Sequence, residues 1–305
     1  MRLEQEALIR RCKKSAPSRI AVAAAGDAFV LQALSEAYRA GISTPILCGD
    51  IERIDDAARM HNIDISPFEI IEADNDLQAI SMAVSMVRRG NADMLMKGLI
   101  QTGDLLRAVL DRENGLRGGG NGVLSHVAVI DCPSLNRTLL LTDGGMVTSP
   151  DLKTKAHLIN NAVLVAKGLG IELPKVAPLA ALELVNPDMQ ATLDAAALTV
   201  MNRRGQITGC LVDGPLALDG ALSPKAAQHK QIDSEVAGNA DILLFHNIEA
   251  ANSTVKALTV AGGCLMGGVV MGAAVPIILS SRSDSMESRL YSISVAHAIA
   301  AGKQL

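Results

Sequence analysis

Near the C-terminus, Ser280-Ser281-Arg282-Ser283-Asp284-Ser285-Met286-Glu287 gathers hydroxyls, one guanidinium and two carboxylates in a single short stretch. The apolar run Val275-Pro276-Ile277-Ile278-Leu279 leads into it, and a helical pattern follows. A buried strand that stops at a polar turn and feeds a helix exposes backbone N–H groups and the positive end of a dipole, which suits an anion. Arg282 adds a planar, permanently charged fork that fits phosphate or carboxylate. The same residues also make a plain capping box, with Asp284 at the cap, Glu287 three positions on and the serines as ordinary turn residues. On this stretch alone, both an anion site and a helix cap stand.

Other candidates come from strand ends, where ligands collect in open parallel sheets. Asp93-Met94-Leu95-Met96-Lys97-Gly98 reads as a strand, followed by Thr102 and Gly103 before a helix that carries Arg107. Lys97, Thr102 and Arg107 each suit an anion, although a helical arginine is more often a solvated surface residue. Asp143-Gly144-Gly145 closes a second strand and Val212-Asp213-Gly214-Pro215-Leu216 a third. Ile248-Glu249-Ala250-Ala251-Asn252 closes a fourth, with Asn252 at a helix start. His126 interrupts an apolar strand and reads as a hydrogen-bonded core histidine. The histidines show no H-E-x-x-H spacing, there is no G-x-S-x-G elbow, and no aspartate cluster suggests a divalent metal. Gly118-Gly119-Gly120 fits neither a dinucleotide fingerprint nor a Walker loop, so a flexible loop or hinge is expected there.

The elements that must position these groups alternate. Apolar runs at 19–25, 44–48, 68–72 and 93–98 are separated by helical patterns at 28–40, after Asp50, and at 76–89. That alternation, without two-residue hairpin signals, indicates a parallel sheet with crossover helices. In the helix at 28–40, Phe29, Ala33, Leu34, Ala37 and Tyr38 share one face, which is expected to be the buried one. Strands at 123–131 and 138–142, joined by Pro133-Ser134-Leu135-Asn136, depart from the alternation and suggest passage into a second domain. A long helix at 151–168 and strands at 176–180, 209–212 and 240–245 follow.

Composition bounds the function. The 305 residues are 49% hydrophobic and 20% charged, which is globular and long enough for two domains. A net charge of -4 and 2% aromatics disfavour a nucleic-acid surface. Five dispersed cysteines without a C-x-x-C pair suit buried thiols in a reducing compartment, and the charged N-terminus lacks a signal-peptide core, so a cytoplasmic protein is expected. Between Lys256 and Arg282 there is no Asp, Glu, Lys or Arg, but Pro276 and the glycine pairs 262–263 and 267–268 interrupt the run. A helix, a Gly-rich turn and a buried strand are expected there, and no membrane span.

The segments Val212-Asp213-Gly214-Pro215-Leu216, Val236-Ala237-Gly238-Asn239-Ala240-Asp241, Ile248-Glu249-Ala250-Ala251-Asn252 and Ser281-Arg282 occur in the order found in phosphate acyltransferases. Along nearly its whole length the chain resembles the phosphotransacetylase and phosphate butyryltransferase family, and the Ser-Arg-Ser-Asp-Ser form with Lys97-Gly98 is more similar to the butyryl branch. The resemblance implies an α/β fold of two α/β/α domains with mostly parallel sheets and a cleft between them, as in isocitrate and isopropylmalate dehydrogenases. It implies a first domain at 1–133 plus 274–305 and a second, dimerising one at 134–273. The implied reaction is reversible acyl exchange between coenzyme A and inorganic phosphate, with CoA as a substrate, no cofactor and no metal, in a homodimer or larger assembly.

The resemblance also assigns residues. Ser281 and Arg282 match the family's Ser-Arg pair, which stabilises the transition state and holds phosphate. Arg107 falls where the family carries a substrate-binding arginine, and Lys97, Gly98, Thr102, Asp143, Asn252 and Glu287 join it as substrate-binding candidates. In the acetyl branch an aspartate lies seven residues after the serine, but here that position is Ser288. Asp284 is then the available general base, with Glu287 second. Rival readings are a phosphate acetyltransferase, a non-catalytic CoA- or anion-binding protein, and a dehydrogenase of related fold.

Overall fold

The computed structural model describes residues 2–117, 122–281 and 284–302. Gly118-Gly119-Gly120, Arg282 and Ser283 lie outside them. The chain divides into a terminal unit, residues 4–122 with 266–305, and a central unit, residues 1–3 with 123–265.

The terminal unit opens with α1 (Gln5–Cys12), β1 (Ser18–Ala23), α2 (Ala28–Arg39), β2 (Ser43–Gly49), α3 (Ile51–Met60), β3 (Glu69–Glu72), α4 (Asp76–Arg88), β4 (Met94–Lys97) and α5 (Thr102–Val109). The strands pair in parallel in the order β3-β2-β1-β4. β1 and β4 are buried on both faces, which is why their sequences run apolar without alternation. Asp27, Asp50 and Asn75 each accept backbone N–H groups at a helix start, so the crossover helices begin where short polar side chains satisfy the orphan donors.

The central unit holds β5 (Ser125–Cys132), β6 (Arg137–Thr142), α6 (Leu152–Gly168), β7 (Lys175–Pro178), α7 (Gln190–Arg203), β8 (Leu211–Val212), α8 (Leu218–Leu222), α9 (Pro224–His229), β9 (Ile242–Leu244) and α10 (Ile248–Lys256). Its strand order is β5-β6-β9-β7-β8, parallel except for the β5–β6 hairpin. That hairpin turns through a 3-10 segment at Pro133–Leu135 and Asn136 in the left-handed region.

The chain returns through β10 (Leu265–Met271), β11 (Ile277–Ile278) and α11 (Met286–Gly302). β11 pairs in parallel with β4 and antiparallel with β10. α11 packs on α1 and α2 and is buried continuously from Tyr291 to Ala300. A helix covered on all sides needs no polar face, and this one carries no Asp, Glu, Lys or Arg from Leu290 to Gly302.

Several expectations from the sequence are corrected. The crossings fall at 122/123 and 265/266, not at 133/134 and 273/274. β5 pairs with β6 and so belongs to the central unit, while β10 pairs with β11 in the terminal one. Gly267 and Gly268 do not make a turn: they lie inside β10, where a Cβ on Gly267 would sit 2.8 Å from Tyr291 Cδ1. Glycine there lets α11 approach the strand, and Ser292 Oγ accepts the Gly268 N–H at 2.9 Å. In α2 the buried stripe is Val30, Leu31, Ala33, Leu34, Ser35 and Ala37, with Phe29 57% exposed. Contact with α11 as well as the sheet shifts that stripe away from Phe29 and Tyr38. All five cysteines are buried and free, and burial pushes the Cys12 and Cys48 thiols up to about 12. Among the described residues no helix is long and apolar enough to cross a membrane.

Candidate active site

β4 and β11 are parallel neighbours, so their carboxyl ends deliver Lys97-Gly98 and Ser280-Ser281 to one edge of the terminal unit. Gly98 donates its N–H to Ala23 O at 2.9 Å, and a Cβ at that position would lie 2.0 Å from Ala24 O. Only glycine fits this approach. The turn brings Lys97 over the strand end, where Nζ donates to Gly98 O at 3.2 Å and Ile100 O at 3.1 Å. Asp27 closes the neighbouring β1–α2 turn, its Oδ1 accepting from Phe29 and Val30 N–H. Asp27, Lys97, Gly98, Leu99, Ile100, Ser280, Ser281 and Arg289 together line a small cavity.

The loop carrying Ser281 is built from within. Asp284 Oδ2 accepts the Ser281 N–H at 2.7 Å, and Ser281 O accepts the Asp284 N–H at 3.2 Å. From the first turn of α11, Arg289 reaches back beneath the loop. It is 2% exposed and donates to Ser280 Oγ at 2.7 Å, Ser281 O at 2.9 Å and Asp284 O at 3.3 Å. The expected Asp284–Glu287 capping box is absent. Ser285 Oγ accepts the Ser288 N–H at 3.2 Å and so caps α11, which leaves the Asp284 carboxylate for the loop. Glu287 is exposed, and its main-chain carbonyl accepts from Gln5 Nε2 at 3.1 Å.

Of the expected cluster, then, Lys97, Gly98 and Ser281 line one cavity, and Asp284 braces its loop. Thr102 sits exposed at the first turn of α5. Arg107 does not line the Ser281 cavity; its side chain is 78% exposed and pairs with Asp104 at 2.6 Å. It borders a separate cavity of about 470 Å³ between α4 and α5, with Arg88, Arg89 and Asn114 on its walls and Ile80 and Val84 as apolar floor. Arg282 lies outside the described residues.

In the central unit Asp143 is buried at the carboxyl end of β6. Its Oδ1 accepts from Gly145 N–H at 2.7 Å and Met146 N–H at 2.9 Å, and its Oδ2 from His126 N–H at 3.2 Å and Val147 N–H at 3.3 Å. Burial pushes the carboxyl up from its ordinary value, and these N–H groups with the nearby His126 oppose the rise. Asn252 is not at a helix start. α10 begins at Ile248 with Asn247 as cap, and Asn252 uses Nδ2 to hold Gly144 O at 2.9 Å. Asp143 and Asn252 thus fix the same loop from two sides.

The family model for phosphate acetyl/butaryl transferase matches residues 5–81 and 75–298. The chain belongs to this family. It is 47% identical over 294 residues to the phosphate butyryltransferase of Clostridium beijerinckii, covering 96% of this chain and 97% of the relative. It is 42% identical over 278 residues to the phosphate acetyltransferase of Thermotoga maritima, covering 91% and 94%. The crystal structure of a branched-chain phosphotransacylase from Enterococcus faecalis superimposes with a TM-score of 0.82 at 32% identity, covering 93% of this chain and 99% of that one. The α/β fold with a mostly parallel sheet is therefore that of the phosphate acyltransferases.

Three polar cavity residues were not among the site candidates read from the sequence: Asp27, Ser280 and Arg289. Asp27 and Ser280 look like any turn residue. Arg289 did leave a signal, since a single guanidinium at the start of an otherwise apolar helix has to be buried and therefore has to be bonded.

Proposed function

We propose that the chain exchanges a short-chain acyl group, butyryl by preference, between coenzyme A and inorganic phosphate. The observation that carries the reading is the shared cavity of Lys97 and Ser281, at adjacent parallel strand ends, in a chain of this family. In the direction of acyl-CoA synthesis, Asp284 accepts the proton of the CoA thiol, whose ordinary pKa lies above neutrality. The thiolate attacks the carbonyl carbon of the acyl phosphate. The C–S bond forms, Ser281 and backbone N–H groups receive the oxyanion, and the C–O bond then breaks with its electron pair leaving on phosphate. Lys97 and Arg282 neutralise that phosphate. No covalent enzyme intermediate and no cofactor is needed, since holding both substrates in attack geometry removes much of the barrier.

Arg107, in the arginine-lined cavity of α5 with Thr102 at that helix's start, serves the phosphates of CoA. Gly98 keeps the Lys97 turn tight, and Glu287, exposed in the first turn of α11, is kept as a substrate-binding residue. Asp143 and Asn252 act through the loop they hold, because the Asp143 carboxylate already receives four N–H groups. Buried, unpaired thiols support a cytoplasmic setting. Exposed Leu164 on α6 and Val200 on α7 support a homo-oligomer, dimer or higher, formed through the central unit.

Thiol release from a panel of acyl-CoAs, with and without phosphate, tests the proposal. Release should depend on phosphate, and butyryl-CoA should exceed acetyl-CoA by at least about tenfold in kcat/KM, because each methylene in an apolar pocket is worth ~1–3 kcal/mol. The 42% identity to a phosphate acetyltransferase supports the second reading, and a strong acetyl preference would replace the first with it. Release that ignores phosphate would remove both.

A further inference from the structure

Among the described residues, two Lys or Arg side chains are buried, Lys155 in the central unit and Arg289 in the terminal one. Burying a charge is tolerable only when it is paired. Lys155 obeys that rule: Nζ lies 2.5 Å from Asp194 Oδ2 and 2.8 Å from His246 Nδ1. Arg289 does not. Its partners are one hydroxyl and two carbonyls, all neutral, and the Phe29 ring with its centroid 6.0 Å from Cζ. Ion pairs among the described residues do not include it.

The donors can be counted. A guanidinium has five N–H groups. Nε–H goes to Asp284 O, one N–H of Nη1 to Ser280 Oγ and one of Nη2 to Ser281 O. One N–H remains on each terminal nitrogen, available to the oxygens of an oxyanion. Arg289 lines the same cavity as Lys97 and Ser281. The Asp27 carboxylate in that cavity is committed to the first turn of α2.

We propose that Arg289 is an anion-binding residue whose missing counter-charge is the phosphoryl group, taken as inorganic phosphate or as the phosphate of the acyl phosphate. This rests on the acyl-transfer reading for the identity of the anion. The same guanidinium that receives the oxygens holds the carbonyls of Ser281 and Asp284, so the anion and the loop are anchored by one side chain.

The test separates phosphate from CoA. In Arg289→Gln the KM for phosphate should rise by about 30-fold or more, a charge-assisted bidentate contact being worth roughly 2 kcal/mol. The KM for butyryl-CoA should stay within about threefold, because CoA's own phosphates bind elsewhere. Arg289→Lys keeps the charge but loses the fork, and should recover part of the phosphate affinity. A phosphate KM unchanged in a variant with wild-type circular dichroism and urea midpoint overturns the proposal, as does an equal rise in both KM values.

If Arg289→Gln does not fold, Arg289→Lys is read by itself, and an unchanged phosphate KM there is equally fatal. The thermal shift produced by inorganic phosphate is measured alongside, on wild type and Arg289→Lys. A wild type that shifts with phosphate but releases no thiol would end the acyl-transfer reading and leave the anion site standing. A wild type that turns over normally, with the same shift in Arg289→Lys, would do the reverse.

Discussion

Two strand-end loops in this protein are held by opposite charges. After β6, the loop at 143–147 closes over the Asp143 carboxylate, which draws in the N–H groups of Gly145, Met146, Val147 and His126. After β11, the Arg289 guanidinium draws in the carbonyls of Ser281 and Asp284. An anion at the centre consumes N–H groups and leaves a finished structural turn. A cation at the centre consumes carbonyls, keeps N–H groups of its own in reserve, and leaves net positive charge facing a cavity. The two loops look alike in sequence, each an apolar strand ending in small and acidic residues, yet only the second is built to receive an anion.

The sharpest way to break this contrast is at the chemistry. Ser281→Ala should lower kcat by about 10²–10³, the usual loss of one oxyanion donor, with little change in urea midpoint because the side chain is exposed. Asp284→Asn is the companion, since its amide oxygen can still accept the Ser281 N–H at the position now held by Oδ2. Loop geometry survives and the base is lost, so the rate should fall by roughly 10² or more. Full activity in Asp284→Asn would move the base to another group and reduce Asp284 to a brace.

At the other loop the loss should appear in stability before catalysis. Asp143→Asn offers one acceptor oxygen where two are used, and its NH2 must face two N–H donors. Leaving those donors unsatisfied in a buried site should cost on the order of 2–4 kcal/mol in urea unfolding. If instead kcat collapsed with stability intact, Asp143 would be a reacting group and the contrast between the loops would fail.

Much of this was legible beforehand, for reasons that can be named. Parallel strands buried on both faces leave continuous apolar runs, so β1, β2, β4 and β11 stood out, the last two with their carboxyl ends at Lys97 and Ser281. Asp50 marked the start of one helix between them, while the caps at Asp27 and Asn75 emerge only from the structure. What stayed hidden depends on contacts across long sequence separations. Gly267 reads as a turn residue until Tyr291 is seen packed against it. Asn252 reads as a cap until its bond to Gly144, 108 positions away, is known. Arg107 keeps the expected place in the chain, but the helix directs it to the α4–α5 cavity and not to Ser281. Spacing along the chain locates a strand end; which cavity a helical side chain enters is decided by packing.

The smallest effect separates the two carboxylates of the Ser281 loop. A capping box would give Glu287 a share in the start of α11, and Glu287→Gln would then cost about as much as losing the cap. The observed cap is Ser285, whose hydroxyl accepts the Ser288 N–H, while Glu287 is exposed and contributes a main-chain carbonyl to Gln5. Ser285→Ala should therefore cost about 1 kcal/mol in urea unfolding. Glu287→Gln should stay within about 0.5 kcal/mol, the small helix-dipole share of an exposed carboxylate. Neither change touches the three acceptors of Arg289, so both variants should keep the wild-type phosphate KM. If Glu287→Gln proved the more damaging to α11, the helix would begin one residue earlier than Ser285 allows. Asp284 would then be drawn back into capping, and the cation-held loop would lose the brace on which its likeness to the Asp143 turn depends.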